Sequence, residues 1–159
     1  MTTNRDETSV MSSLPPALSE GVIAVKSGET PELLVKADRL VEICEYLKSA
    51  PELGFNYLVN LTAVDWMNYF ELVYHLHSIR HGRMVVLKAR VDRDNPVVPS
   101  VAGVWDAANF QEREVFDLFG IRFDGHPDLR RILLYDEFAG HPLRKDYGLP
   151  REEASQPER

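Results

Sequence analysis

In Phe70-Glu71-Leu72-Val73-Tyr74-His75-Leu76-His77-Ser78-Ile79, the apolar Phe70, Leu72, Tyr74 and Leu76 share one parity, while Glu71, His75 and His77 share the other. Successive side chains of a strand point to opposite faces, so this period of two predicts a half-buried strand. Met84 to Val91 repeats the pattern, with Val85, Leu87, Ala89 and Val91 opposed to Lys88 and Arg90. Arg80, His81, Gly82 and Arg83 separate the two runs, and a glycine that accepts positive φ predicts a tight hairpin there. Tyr57 to Val64, rich in β-branched and aromatic residues, reads as a preceding strand. Three consecutive antiparallel strands are therefore expected.

Working outward, Val22 to Val25 and Leu33 to Val35 are shorter β-branched runs. Asp38 then stands as N-cap for a helix over Arg39 to Lys48, whose apolar face carries Leu40, Val41, Cys44 and Leu47. Pro51 and Gly54 end it. After the breaks at Pro96 and Pro99, Val101, Val104, Trp105, Ala108, Val115 and Phe119 recur at helical spacing, which predicts a helix, continuous or interrupted, with Gly120 as the C-terminal cap. From Ile121 the pattern is irregular, with Gly-His-Pro turns at 125–127 and 140–142. The expected fold class is α+β, a mainly antiparallel sheet with packed helices and an extended C-terminal arm. Residues 1–20 are expected as a mobile N-terminal tail, 21–120 as the α+β domain, and 121–159 as the arm, docking on a partner.

Composition excludes several function classes. A formal net charge of -7 opposes a nucleic-acid surface, which needs a concentrated basic footprint. No charge-free stretch exceeds about twelve residues, against the roughly twenty apolar residues of a spanning helix. Met1 to Glu20 has no basic start followed by an apolar run, so it does not read as a signal peptide, and a cytoplasmic location is expected. The single cysteine, Cys44, cannot form an internal disulfide or supply the four thiolates of an iron–sulfur cluster. No glycine pair has even Gly-x-Gly spacing, so no dinucleotide or phosphate loop can be drawn.

Few residues could carry chemistry. Glu112 lies seven after Trp105 and seven before Phe119, which puts a carboxylate on the apolar stripe of its helix. It is expected in a structural ion-pair network, with Arg130 or Arg131 as its partner, while Arg113 and Asp117, one turn apart, pair with each other. The competing reading makes Glu112 a general base with a burial-raised pKa, but no nucleophile or metal set accompanies it. His75 and His77 share a strand face, yet a zinc site needs a third ligand, and neither His-Glu-x-x-His nor Cys-x-x-Cys occurs. They read as solvent-facing or interface residues. His126 and His141, each before a proline, read as turn anchors, and Cys44 as a small core hydrophobe.

Arg122 to Tyr147 contains five Arg or Lys, five Asp or Glu and two histidines, with Ile132, Leu133 and Leu134 between them. Such a segment has little reason to be held by its own domain. Docked on another subunit it would satisfy its arginines and bury its leucines.

The run Glu112-Arg113-Glu114-Val115-Phe116-Asp117-Leu118-Phe119-Gly120-Ile121, then Gly125-His126-Pro127-Asp128-Leu129-Arg130-Arg131-Ile132-Leu133 and Gly140-His141-Pro142-Leu143-Arg144-Lys145-Asp146-Tyr147, resembles the signature of the complex I 30 kDa subunit family. Phe138 and Gly148 depart from it, where relatives often carry tryptophan and proline. The resemblance implies a cofactor-free structural subunit of the peripheral arm of a proton-translocating NADH:quinone oxidoreductase, with no catalytic residues of its own. It would lie on the cytoplasmic side of the cell membrane, beside the 49 kDa quinone-site subunit and near cluster-bearing subunits. Arg130, Arg131, His141, Arg144, Lys145, Asp146 and Tyr147 would then form the inter-subunit surface, with Glu112, Arg113 and Asp117 as internal ion pairs. The alternatives are the equivalent subunit of a plastoquinone-reducing complex or membrane-bound hydrogenase, or a stand-alone acid–base enzyme using Glu112 with His126.

Overall fold

The structure, a computed structural model, describes residues 10–148. Its centre is a five-stranded sheet built from β1 (Val22–Lys26), β2 (Glu32–Val35), β3 (Tyr57–Asp65), β4 (Tyr69–Ser78) and β5 (Arg83–Asp92), in the order β1-β2-β5-β4-β3. The meander β3-β4-β5 is antiparallel throughout, as the alternation requires, and Gly82 takes φ +63° in the hairpin between β4 and β5. The β1-β2 hairpin joins by pairing β2 parallel to β5, so the sheet is mixed. Parallel neighbours need a crossover connection, and the helix between β2 and β3 begins it.

One face of the sheet carries the core. Phe70, Leu72, Tyr74 and Leu76 of β4 and Val85, Leu87 and Ala89 of β5 are fully buried there. A short helix, α1 (Pro16–Ser19), precedes the sheet, and two longer ones pack on it. Leu40, Ile43, Cys44 and Leu47 of α2 (Leu40–Ser49) share the core cluster with Ala108, Val115 and Phe119 of α3 (Ala108–Phe119). Each fully buried leucine contributes about 1.5–3 kcal/mol by leaving water. The opposite face is lined by an ionic ladder, in which Lys88 bonds Glu32 at 2.6 Å and Arg90 bonds Glu71 at 2.9 Å.

Two local expectations are corrected and one is sharpened. Asp38 is not an N-cap: it sits inside a 3-10 turn, Ala37–Arg39, and α2 starts at Leu40 with no side-chain cap. Arg39 instead ties the start of α2 to Glu42 and to the carbonyl of Ala17. The helix expected from Val101 to Phe119, continuous or interrupted, is interrupted, and α3 begins at Ala108. Val101 to Trp105 form a separate turn, because the Lys48 ammonium takes the Val104 carbonyl at 2.5 Å and the Trp105 indole donates to the Phe55 carbonyl at 3.1 Å. The segment expected as a mobile tail is helical over 10–13 and at α1, and Val10 and Leu14 are buried in the core. Residues 1–9 of that segment lie outside the described residues.

Gly120 ends α3 with φ +74°, as expected. Beyond it the chain is not extended away from the domain. Residues Arg122–Asp124 form β7, parallel to β6 (Val97–Pro99), and the following residues to 148 turn back over the C-terminal half of α3. Residues 149–159 of the expected arm lie outside the described residues.

Candidate subunit interface

Three buried carboxylates organise this end of the molecule. Asp117, on the last turns of α3, is fully buried. Its Oδ1 accepts from Arg131 Nη1 at 2.9 Å, and its Oδ2 accepts the backbone N–H groups of Ile132, Leu133 and Leu134 at 3.2, 2.8 and 2.9 Å. Burial alone pushes this carboxyl up, but the Leu134 and Leu133 amides and Arg131 outweigh it and hold the group below the usual carboxylate range. The charge therefore persists at neutral pH and nucleates the turn at 131–134.

Arg113, one turn earlier, does not pair with Asp117 as expected. Its guanidinium donates to the carbonyls of Arg130 and Arg131 at 3.1 and 3.0 Å. A planar fork of donors suits two successive carbonyls, and Arg113 takes these while Arg131 takes Asp117.

Gly120 supplies the next fastening. A β-carbon there would lie 2.6 Å from the His141 ring and 2.9 Å from the Arg144 guanidinium, so only glycine lets the returning chain approach this closely. His141 Nδ1 lies 2.9 Å from the Asp117 carbonyl, Arg144 Nε donates to the Phe119 carbonyl at 2.6 Å, and the Leu143 N–H donates to the Leu118 carbonyl at 3.1 Å. The carbonyls left open at the end of α3 are thus met by the returning segment. Burial, then the neighbouring Arg144 and Arg131, lower the His141 pKa, so the ring stays neutral and donates from Nδ1.

Asp65, at the end of β3, is the second buried carboxylate. It accepts from Arg93 Nε and Nη2, at 3.1 and 2.9 Å, and from the backbone N–H groups of Met67 and Lys145. Burial works against the charge, but the Arg93 bond and the two backbone donors lower its pKa to about 2. Arg93 also bonds Asp146 at 3.0 Å, while its guanidinium and that of Arg144 lie over the Phe70 ring at 5.5 and 5.2 Å. This pair was missed from sequence, although Asp65 continues the inward parity of Leu61 and Ala63, and Arg93 that of Ala89 and Val91.

Glu112 is the third, with no exposed surface and no arginine partner among the described residues. Its carboxylate accepts from the Ser100 hydroxyl at 2.6 Å and the Val101 N–H at 2.7 Å. Burial raises its pKa, and these two bonds oppose the rise. It therefore fastens the 100–101 turn to α3. His126, offered as its catalytic partner, bonds the Asn109 carbonyl at 3.0 Å instead and anchors the Asp128 N–H through Nδ1.

Of the expected inter-subunit residues, Arg131, His141, Arg144 and Asp146 are thus engaged within the chain. The Arg130 side chain is exposed and bonds only the exposed Asp128 among the contacts described, while its carbonyl accepts from Arg113. Lys145 leans over Trp66 at 5.9 Å, and Tyr147 stacks on Phe138. The fastened segment presents Leu133, Tyr135 and Leu143 to solvent at 61%, 65% and 52% exposure, and Trp66, Met67 and Phe110 are exposed elsewhere on the surface. A rigidly held apolar surface of this kind is the anatomy of an interaction site. His75 and His77 lie on the ladder face of the sheet, and among the described residues no group of three or more His, Cys, Asp or Glu is placed to hold a metal. No helix among the described residues is long and apolar enough to cross a membrane.

The chain is similar in sequence and fold to known proteins. The sequence model of the family described as "Respiratory-chain NADH dehydrogenase, 30 Kd subunit" matches residues 33–153. The chain is 43% identical over 155 residues to the C subunit of the NADH-quinone oxidoreductase of Roseiflexus sp. (strain RS-1), covering 94% of this chain and 88% of the relative. It is 48% identical over 133 residues to that of Moorella thermoacetica (strain ATCC 39073 / JCM 9320), covering 82% and 88%. Among solved structures, a trypsin-resistant fragment of Nqo5 superposes with a TM-score of 0.62 at 31% identity, covering 71% of this chain and 93% of the fragment. A chain of an archaeal respiratory membrane complex, the membrane-bound sulfane sulfur reductase, superposes with a TM-score of 0.72 at 28% identity, covering 88% and 82%. With three quarters of its length inside the family match, the chain belongs to the respiratory-chain NADH dehydrogenase 30 kDa subunit family.

Proposed function

We propose that the chain is a structural, cofactor-free subunit of the peripheral arm of an NADH:quinone oxidoreductase, on the cytoplasmic side of the membrane. In this reading it contributes assembly and rigidity, and its partners are the quinone-site subunit and the cluster-bearing subunits. The observation that carries it is the segment 125–148, held by Asp117, Asp65 and Gly120 while Leu133, Tyr135 and Leu143 face outward. Holding a surface rigid before docking removes an ordering cost of about 0.5–1.5 kcal/mol per side chain from association. Catalysis by Glu112 has no support: the group is sealed from solvent and its oxygens are already bonded.

The test is affinity purification of the chain from its native membranes in mild detergent, with mass spectrometry of the co-purifying proteins. Iron–sulfur, flavin and membrane subunits recovered with NADH:quinone activity support the reading. Recovery of the chain alone overturns it. The likeness to a chain of an archaeal membrane reductase favours one second reading, the equivalent subunit of a related membrane complex such as a hydrogenase or plastoquinone reductase. The identity of the electron-input subunits in the same eluate separates the two.

A further inference from the structure

The turn Trp66-Met67-Asn68 joins β3 to β4, and its middle residue sits where its type is unfavourable. Met67 takes φ +68°, and among the described residues it is the one non-glycine with positive φ. A β-carbon in that left-handed region crowds the following carbonyl, so glycine or asparagine is the relaxed choice there. The turn is held shut all the same. The Met67 N–H donates to Asp65 Oδ1 at 2.8 Å, and the Trp66 N–H to the Tyr69 carbonyl at 3.0 Å. Asp65 is itself buried and fixed by Arg93 and the Lys145 N–H, so the tip and the returning segment share one anchor. What this clamp displays is apolar: Trp66 and Met67 are each half exposed and stand outside the core cluster. The exposed Lys145 ammonium lies 5.9 Å from the Trp66 ring, and neither it nor Arg144 forms an ion pair among the described residues. Lys88 and Arg90, which share a surface groove with Trp66, are already met by Glu32 and Glu71.

We infer that the Trp66–Met67 tip is a docking knob that enters an apolar hollow of the partner subunit, with an aspartate or glutamate at the rim of that hollow to meet Lys145. The inference rests on the reading of the chain as a docking subunit and deepens it, adding a contact outside segment 125–148. Strain is the first ground. Backbone in a sparsely populated region persists where its surroundings over-determine it, and such positions gather at ligand contacts. A glycine at 67 would satisfy the same hydrogen bonds without the strain, so what methionine adds is its exposed side chain alone. Side-chain chemistry is the second: tryptophan and methionine are enriched at the buried centres of interfaces, and tryptophan among the residues that carry most of their binding energy. Charge is the third. On a chain of net charge -7, the tip is flanked by two cations without carboxylates, so the complementary surface is acidic. A lipid surface fits less well, because stable interfacial anchoring takes a broad apolar face or a polybasic cluster, and the tip offers two apolar side chains and two cations.

The test uses the full-length chain expressed in its native membranes. A photo-crosslinking amino acid is placed at Met67, and Trp66→Ala, Met67→Gly and Lys145→Glu are compared with wild type and with Ile79→Asp, an exposed control at the opposite end of β4. Expected is a crosslink to a partner segment in which apolar residues flank an Asp or Glu. Recovery of partner subunits should be at least tenfold lower for Trp66→Ala, several-fold lower for Met67→Gly and Lys145→Glu, and unchanged for Ile79→Asp. Because glycine relaxes the turn, purified Met67→Gly is expected to melt close to wild type, which separates a lost contact from a lost fold. If wild type recovers partners and Trp66→Ala and Met67→Gly recover them equally, the knob is overturned while the docking reading stands. Reduced recovery of Met67→Gly with a markedly lower melting temperature also overturns it, because the tip then serves the fold. A crosslink to lipid, or to a partner segment without a carboxylate, overturns the assigned occupant. If wild type recovers nothing, both fall.

Discussion

The Asp117 carboxylate and the Arg131 guanidinium meet at 2.9 Å across fourteen residues of chain, the carboxylate wholly buried and the arginine nearly so. This pair converts the polar segment after β7 into part of the domain. Removing Asp117 leaves a buried cation and three backbone donors unmet, so Asp117→Ala is expected to destabilise the purified chain by about 3–5 kcal/mol. Urea unfolding measures the loss, and limited proteolysis should cut within 131–148 first. Wild-type resistance of that segment would contradict the role given to Asp117.

Gly120→Ala should act on the same segment from the other side. The left-handed backbone alone costs about 1–2 kcal/mol for a residue with a β-carbon, and the close approach of His141 and Arg144 adds to it. The α3 helix itself should survive, because its interior is untouched. Circular dichroism with little change, together with faster amide exchange over 141–147, is the expected combination.

Arg144→Ala is expected to loosen the returning segment within the isolated chain, by about 1–3 kcal/mol, since it removes the bond to the Phe119 carbonyl and the stack on Phe70. Leu133→Ser is the contrast, an exposed side chain whose loss should leave the melting temperature within a degree or two while weakening recovery of partner subunits. Arg144 as a purely inter-subunit residue would give the opposite pattern in the melt.

Glu112→Gln should be well tolerated at neutral pH. A glutamine oxygen still accepts the Val101 N–H, and the cost of keeping a buried charge disappears. The folded pKa of Glu112 is raised, so its favourable contribution is full below the unfolded value and is lost as pH rises through the folded one. The stability gap between Glu112→Gln and wild type should therefore move in favour of the glutamine on going from pH 4 to pH 7. Turnover of the assembled complex should be unchanged, whereas a general base would lose several orders of magnitude.

Acid should release the segment before it unfolds the sheet. His141 has a lowered folded pKa, so its contribution is full above the unfolded value of about 6.5 and falls as pH drops through the folded one. Asp65 and Asp117 are lowered as well, with Asp65 at about 2, and their contributions fade only below the unfolded value of about 3.9. Hydrogen exchange over 131–147 should quicken as pH falls below about 6.5, ahead of the cooperative loss of the sheet, which is confined to below about pH 4. Simultaneous loss of both would show that His141 does not matter separately.

The alternation in 57–91 and the glycines at 82 and 120 are local properties, and local sterics and solvent partition were enough to read the meander and the end of α3 from them. Tertiary structure alone decided how the buried carboxylates are met: Asp117 by Arg131 rather than Arg113, Glu112 by Ser100 rather than an arginine, Asp65 by Arg93 and the Lys145 backbone N–H. The reason is physical. A side chain's parity on a strand or helix follows from its neighbours in sequence, but the segment from 122 to 147 holds five cations and five anions whose pairings differ little in energy until the chain's path selects one set. That path is chosen by the core and by the space left at Gly120. The sequence by itself therefore determined which surfaces the sheet buries, and only the tertiary structure decided that the charged segment closes on its own domain and presents Leu133, Tyr135 and Leu143 outward.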